Sequence, residues 1–144
     1  MSKKGFTLIE LLVVIAVLAV LAAGVFIAID PLDKIKAAND SKVQNDIGQI
    51  AQGLEAYAVA NQGSYPSALT YLTISGDLKI VPVPPNASGY GVAYSYYAGF
   101  PTTGGVCGTV QSKKYTMAAA ATAWAWCSSI GKAGTVASCG VCPL

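Results

Sequence analysis

The chain has 144 residues, 53% hydrophobic and only 11% charged, with nine lysines against seven acids for a formal net charge of +2. It contains no histidine and no arginine, and after Glu55 the only acidic side chain is Asp77. That composition excludes a serine nucleophile with its usual imidazole base, a paired-carboxylate acid/base site in the carboxy-terminal part, and a calcium site built mostly from side-chain carboxylates there.

The first predicted element runs from Phe6 to Ile29 and is apolar except for one carboxylate, Glu10. As a helix its twenty-four residues span about 36 Å, enough to cross a hydrocarbon core of about 30 Å. Lys3 and Lys4 precede it and Asp30 follows, so the positive-inside rule places the amino terminus in the cytoplasm and the remainder outside. A cleavable secretory signal would explain the basic start, the apolar middle and Ala22-Ala23-Gly24. The apolar run is long for such a signal, however, and neither a cleaved signal nor an ordinary signal anchor has a use for Glu10. An acid at a helix centre costs roughly 2.5–3.5 kcal/mol in a bilayer. Among Leu, Ile and Val, Glu10 is expected to lack a partner within its own helix and to find one elsewhere.

The run Gly5-Phe6-Thr7-Leu8-Ile9-Glu10-Leu11-Leu12 resembles the class III signal of bacterial type IV pilins and type II secretion pseudopilins. The resemblance implies that a prepilin peptidase cuts the Gly5–Phe6 bond on the cytoplasmic side and methylates Phe6. It implies that Glu10 meets the free amine of a neighbouring subunit during filament assembly. The physics agrees: an ammonium at Phe6 and a carboxylate at Glu10 are each costly in a dry bundle. Paired between staggered subunits they offset much of each other's desolvation and set the register.

Beyond Ile29 eight polar or charged residues arrive between Asp30 and Lys42. Pro31 suits the first turn of a new helix, or a kink, with Asp30 at the cap. Ile35, Val43, Ile47, Ile50, Leu54 and Tyr57 then recur at helical spacing, which predicts an amphipathic helix ending at Asn61-Gln62-Gly63. Its apolar stripe is expected to pack on the chain's own head, with an amino-terminal half available to neighbouring subunits. Leu54-Glu55-Ala56-Tyr57 and Asn61-Gln62-Gly63-Ser64-Tyr65-Pro66 also resemble the pilin family, whose amphipathic helix commonly closes on a tyrosine, a short turn and a Tyr-Pro pair.

About eighty residues remain, enough for one small core. Tyr65 to Leu72 is a short helix or loop, and Val81-Pro82-Val83-Pro84-Pro85 is a crossing loop, because proline lacks an amide donor. Val92 to Ala98 reads as a strand, and Lys113 to Cys127 as a long strand or tight pair. In the latter, Thr122, Trp124 and Trp126 share one face, and Ala121, Ala123, Ala125 and Cys127 the other. The alanine face is expected to be backed by the stem helix, leaving the tryptophans as surface anchors or covered by the carboxy-terminal loop. The expected fold is α+β and pilin-like: a long amino-terminal helix, half transmembrane and half amphipathic, on a small antiparallel sheet. The organisation is a leader (residues 1–5), an assembly helix (6–29), a stem (30–63) and an extracytoplasmic head (64–144).

Cys107, Cys127, Cys139 and Cys142 lie on the side placed outside the cytoplasm, which favours disulfides. Three pairings are open, of which Cys107–Cys127 with Cys139–Cys142 is preferred. Zinc would require a second close pair to match Cys139-x-x-Cys142, and a redox role for that motif lacks its usual βαβ setting. No cofactor, metal or catalytic set is expected. The head is mildly basic, with Lys79, Lys113, Lys114 and Lys132 against Asp77, and Lys113-Lys114 beside Tyr115 could touch a nucleic-acid backbone. Two adjacent lysines are more often a solvated strand end, so DNA is an unsupported partner.

Three functions follow as expectations. The first is a structural subunit of a type IV pilus-like filament, anchored in the inner membrane and then displayed outside the cell as a homopolymer. Its partners are identical subunits, the prepilin peptidase and the assembly machinery. The second is a pseudopilin of a secretion or competence DNA-uptake system, and the third a membrane-anchored monomeric binding protein.

Overall fold

The computed structural model describes residues 5–99, 103–117, 122–140 and 142. The chain divides into two compact units, residues 1–34 and 35–144. Lys3 and Lys4, the basic flank of the apolar run, and Ala121 of the alanine face lie outside the described residues.

In the first unit, helix α1 spans Leu8–Ile29, and none of its residues is buried. At 1.5 Å per residue its 22 residues run about 33 Å. Its most apolar eighteen-residue window has a mean hydropathy of 3.2, so by length and composition it can cross a membrane. Asp30 ends it in a left-handed conformation at φ 45°, which a short polar side chain tolerates. Pro31 opens helix α2, Pro31–Ala60, as expected of a residue that needs no amide partner in a first turn. The Asp30 carboxylate accepts from the Asp33 N–H at 3.4 Å and caps that turn.

The second unit is built on the rest of α2. Val43, Ile47, Ile50 and Leu54, spaced by four, three and four residues, are completely buried along one face. The helix closes where expected: Gln62 and Gly63 are left-handed at φ 55° and 86°, and the Gly63 N–H returns to Ala58 O at 2.7 Å. A short helix α3, Thr70–Ser75, follows, and Leu72 on it joins the core. Residues 81–85 form no strand, as their prolines require.

Four strands form an antiparallel sheet in sequence order: β1 Ser95–Gly99, β2 Thr103–Thr109, β3 Ala123–Cys127 and β4 Lys132–Val136. The fold is therefore α+β, with a long amino-terminal helical segment and a small antiparallel sheet. Two sequence-based assignments change. The strand expected over Val92–Ala98 begins only at Ser95. The stretch from Lys113 to Cys127 is no single strand: Lys113–Thr116 is a short helix, α4, and pairing resumes at Ala123.

The sheet presents the opposite face to α2 from the one expected. Val106 pairs with Trp126 and Gly108 with Trp124, and this face meets α2 together with Tyr94 and Val110. The core needs broad apolar surfaces to cover an aliphatic stripe, and the indoles supply them. Ala123, Ala125, Cys107 and Val136 form the other face, whose small side chains admit the carboxy-terminal segment at Cys139. At Gly108 a Cβ would stand 2.7 Å from the Tyr94 ring and 2.9 Å from Val43 Cγ1, so the glycine permits the close approach of α2.

Two carboxylates of α2 are buried with the stripe. Asp40 accepts from the Tyr90 O–H at 2.7 Å and from the backbone N–H groups of Gln111 and Ser112 at 2.9 and 2.8 Å. Asp46 accepts from the Tyr94 O–H at 2.6 Å and pairs with Lys42, which also donates to Val83 O. Burial and the neighbouring Asp46 carboxylate hold the Tyr94 phenol far above the usual range, while burial, with Tyr65 and Tyr57 nearby, pushes Tyr96 up to about 12.

Candidate assembly terminus

Gly5 and Phe6 lie ahead of α1 in non-helical, exposed backbone, with Phe6 82% exposed. The bond between them thus lies outside the helix rather than locked in a helical turn. Thr7 caps the helix in extended conformation, at φ −82° and ψ 149°. Its Oγ1 lies 2.6 Å and its amide N 2.9 Å from Glu10 Oε2, and the Glu10 N–H approaches Thr7 Oγ1 at 3.4 Å. This is a reciprocal capping box, in which the first-turn carboxylate also faces the positive end of the helix dipole.

The expectation that Glu10 has no partner in its own helix is therefore corrected. The signal was present in the sequence as Thr7-x-x-Glu10, the spacing of a capping box. Thr7 satisfies hydrogen bonds on the carboxylate without neutralising it. The acid sits among Phe6, Ile9, Val13 and Val14, which line the surrounding surface.

The four cysteines form two disulfides, Cys107–Cys139 and Cys127–Cys142, with Cα atoms 5.8 and 5.7 Å apart. The preferred pairing, Cys107–Cys127 with Cys139–Cys142, is overturned by the sheet register. Cys127 lies opposite Gly105 and Cys107 opposite Ala125, so the two strand cysteines are diagonal neighbours. Diagonal positions are about 7–8 Å apart, beyond the reach of an unstrained disulfide. Each strand cysteine instead holds one cysteine of the carboxy-terminal segment. In the chain-entropy account, loops of 32 and 15 residues gain about 3–4 kcal/mol each.

Tyr115 is committed to the core. Its hydroxyl accepts from Gln44 on α2, its ring meets Trp124 edge-on at 6.1 Å, and Lys114 Nζ sits 5.1 Å from its centroid.

No curated protein and no solved structure matches the chain significantly. Residues 1–26 match the family model of the prokaryotic N-terminal methylation motif. The matched segment contains Gly5, Phe6, the Thr7–Glu10 box and most of α1, so the chain carries the class III prepilin leader of type IV pilins and pseudopilins.

Proposed function

We propose that this protein is the structural subunit of a type IV pilus-like filament, cut between Gly5 and Phe6, methylated on Phe6 and polymerised through α1. The observation that carries the reading is a carboxylic acid, Glu10, in the first turn of an otherwise apolar, unburied helix that starts just after an exposed Gly5–Phe6 bond. In this reading cleavage creates an ammonium at Phe6, and Glu10 of one subunit neutralises that of the next. The capping box serves the carboxylate until then, because its hydrogen bonds lower the cost of an acid that has no ion pair among the described residues.

The chain then has four parts: leader 1–5, assembly helix 6–29, stem 30–63 and head 64–144. It is held in the inner membrane with its amino terminus in the cytoplasm before it joins a surface homopolymer. The methylation motif supports a pilin or pseudopilin subunit rather than an enzyme. A small head with few charges and two disulfides suits a subunit displayed at high density, which favours the pilin over the pseudopilin.

The mass of the mature chain tests the processing. It should lack residues 1–5 and carry one methyl group on Phe6; an intact Met1 terminus refutes the assignment. Glu10→Ala should still be cleaved but give few filaments by electron microscopy, and wild-type filament numbers would refute the register role. Normal fibres in cells lacking the gene, together with a secretion or DNA-uptake defect, would transfer the protein to the pseudopilin reading.

A further inference from the structure

At the end of α2, Tyr57, Tyr65 and Tyr71 surround a shallow cup of about 290 Å³ whose walls include Asn61, Ser64 and Ser67. The left-handed turn at Gln62 and Gly63 folds the chain back over the last turn of α2 and brings these side chains together. Tyr57 and Tyr65 are half-buried and pack against the core, which makes them rigid walls, whereas Tyr71 on α3 is 46% exposed and forms the rim. The Tyr96 O–H donates to Pro66 O at 2.7 Å and pins the backbone of the cup from beneath.

No residue lining the cup is charged. The phenols of Tyr57, Tyr65 and Tyr71 and the hydroxyls of Ser64 and Ser67 make no hydrogen bond among the described residues. Asn61 spends Nδ2 on Tyr57 O at 2.8 Å, which fixes its amide and leaves Oδ1 as an acceptor. Five hydroxyls and an amide oxygen thus surround aromatic faces. An ionic ligand would find no countercharge here, and a wholly apolar one would strand the polar groups it covered. A neutral ring with C–H groups on one face and hydroxyls around its edge satisfies both surfaces.

We propose that this cup binds a neutral pyranose sugar, its apolar face on a tyrosine ring and its hydroxyls on Asn61, Ser64 and the phenols. The volume falls just below the range for small-molecule sites, about 300–1,000 Å³, and so limits the ligand to a single ring. Proline also docks on aromatic grooves, but its ring brings no hydroxyl to the groups left unpaired here. The proposal does not depend on polymerisation, since every residue of the cup lies within one chain.

The test is a titration of isotope-labelled full chain in phosphocholine micelles, which contain no sugar, followed by nuclear magnetic resonance. The probes are the methyl glycosides of glucose, galactose and N-acetylglucosamine. At least one should give saturable shifts at Tyr57, Asn61, Ser64 and Tyr71, with a dissociation constant on the order of 1 mM. Tyr71→Ala, at the exposed rim, should leave the remaining spectrum in place and weaken binding about tenfold, while Tyr71→Phe retains the stacking face and loses less. Three outcomes would overturn the proposal: no saturable shift with any glycoside, equal affinity in Tyr71→Ala, or binding of a proline-rich peptide in place of the sugars.

Discussion

Asp40 is 1% exposed, yet both its carboxylate oxygens accept hydrogen bonds, Oδ1 from the Tyr90 hydroxyl and the Gln111 amide and Oδ2 from the Ser112 amide. Its partners are 50 to 72 residues away in sequence, so nothing in the periodicity of α2 distinguishes it from a solvent-facing acid. Replacing it with alanine leaves buried donors without acceptors, and each such donor costs about 1–3 kcal/mol. Asp40→Ala should lower unfolding stability by about 3 kcal/mol in chemical denaturation, and Asp40→Asn, which keeps one acceptor oxygen, by less. Glu10 is the opposite case. Its partner is three residues away in the Thr-x-x-Glu spacing, so its local hydrogen bonds were legible in the sequence, as was its place in the methylation motif.

The two long helices, α1 and α2, could be read from the sequence because their apolar runs and end signals are local: Val43, Ile47, Ile50 and Leu54 mark the buried face of α2, and Gly63 its end. Strand β2 could not. Its sequence Thr-Gly-Gly-Val-Cys-Gly-Thr has little β propensity, and its place between β1 and β3 rests on what packs over it. The reversed assignment of the sheet faces has the same origin, because alternation divides Trp124 and Trp126 from the alanines without saying which set meets the helix. Gly108 is the residue through which the layers approach. Gly108→Ala should destabilise the unit by about 1–3 kcal/mol through overpacking against Tyr94 and Val43, read as a lower denaturation midpoint at unchanged slope. Alanine at Gly131, where an added Cβ would meet no atom beyond its chain neighbours within 4 Å but φ is 61°, separates backbone strain from crowding.

For the molecule as a whole, stability carries an alkaline limit. Tyr94 and Tyr96 keep their protons to higher pH when folded than the ordinary phenol value of about 10. A folded pKa raised above the unfolded one contributes stability that is complete below the unfolded value and is lost as pH rises through the folded value. Tyr96 alone therefore places a decline between about pH 10 and about 12, with Tyr94 extending it higher. Thermal midpoints measured across that window should fall, and the fall should shrink in Tyr94→Phe, whose ring remains and whose ionisation is gone.

The two disulfides also decide how the protein carries mechanical load. Strand β4 lies at the edge of the sheet and is the strand a pull on the carboxy-terminal side would peel first. It lies wholly between Cys127 and Cys142, however, so tension arriving at Cys142 passes through sulfur directly into β3, and from Cys139 into β2. The edge is shunted out of the force path. The 15-residue loop that contains it, about 50 Å of chain when extended, stays hidden from any pull until the bond is reduced.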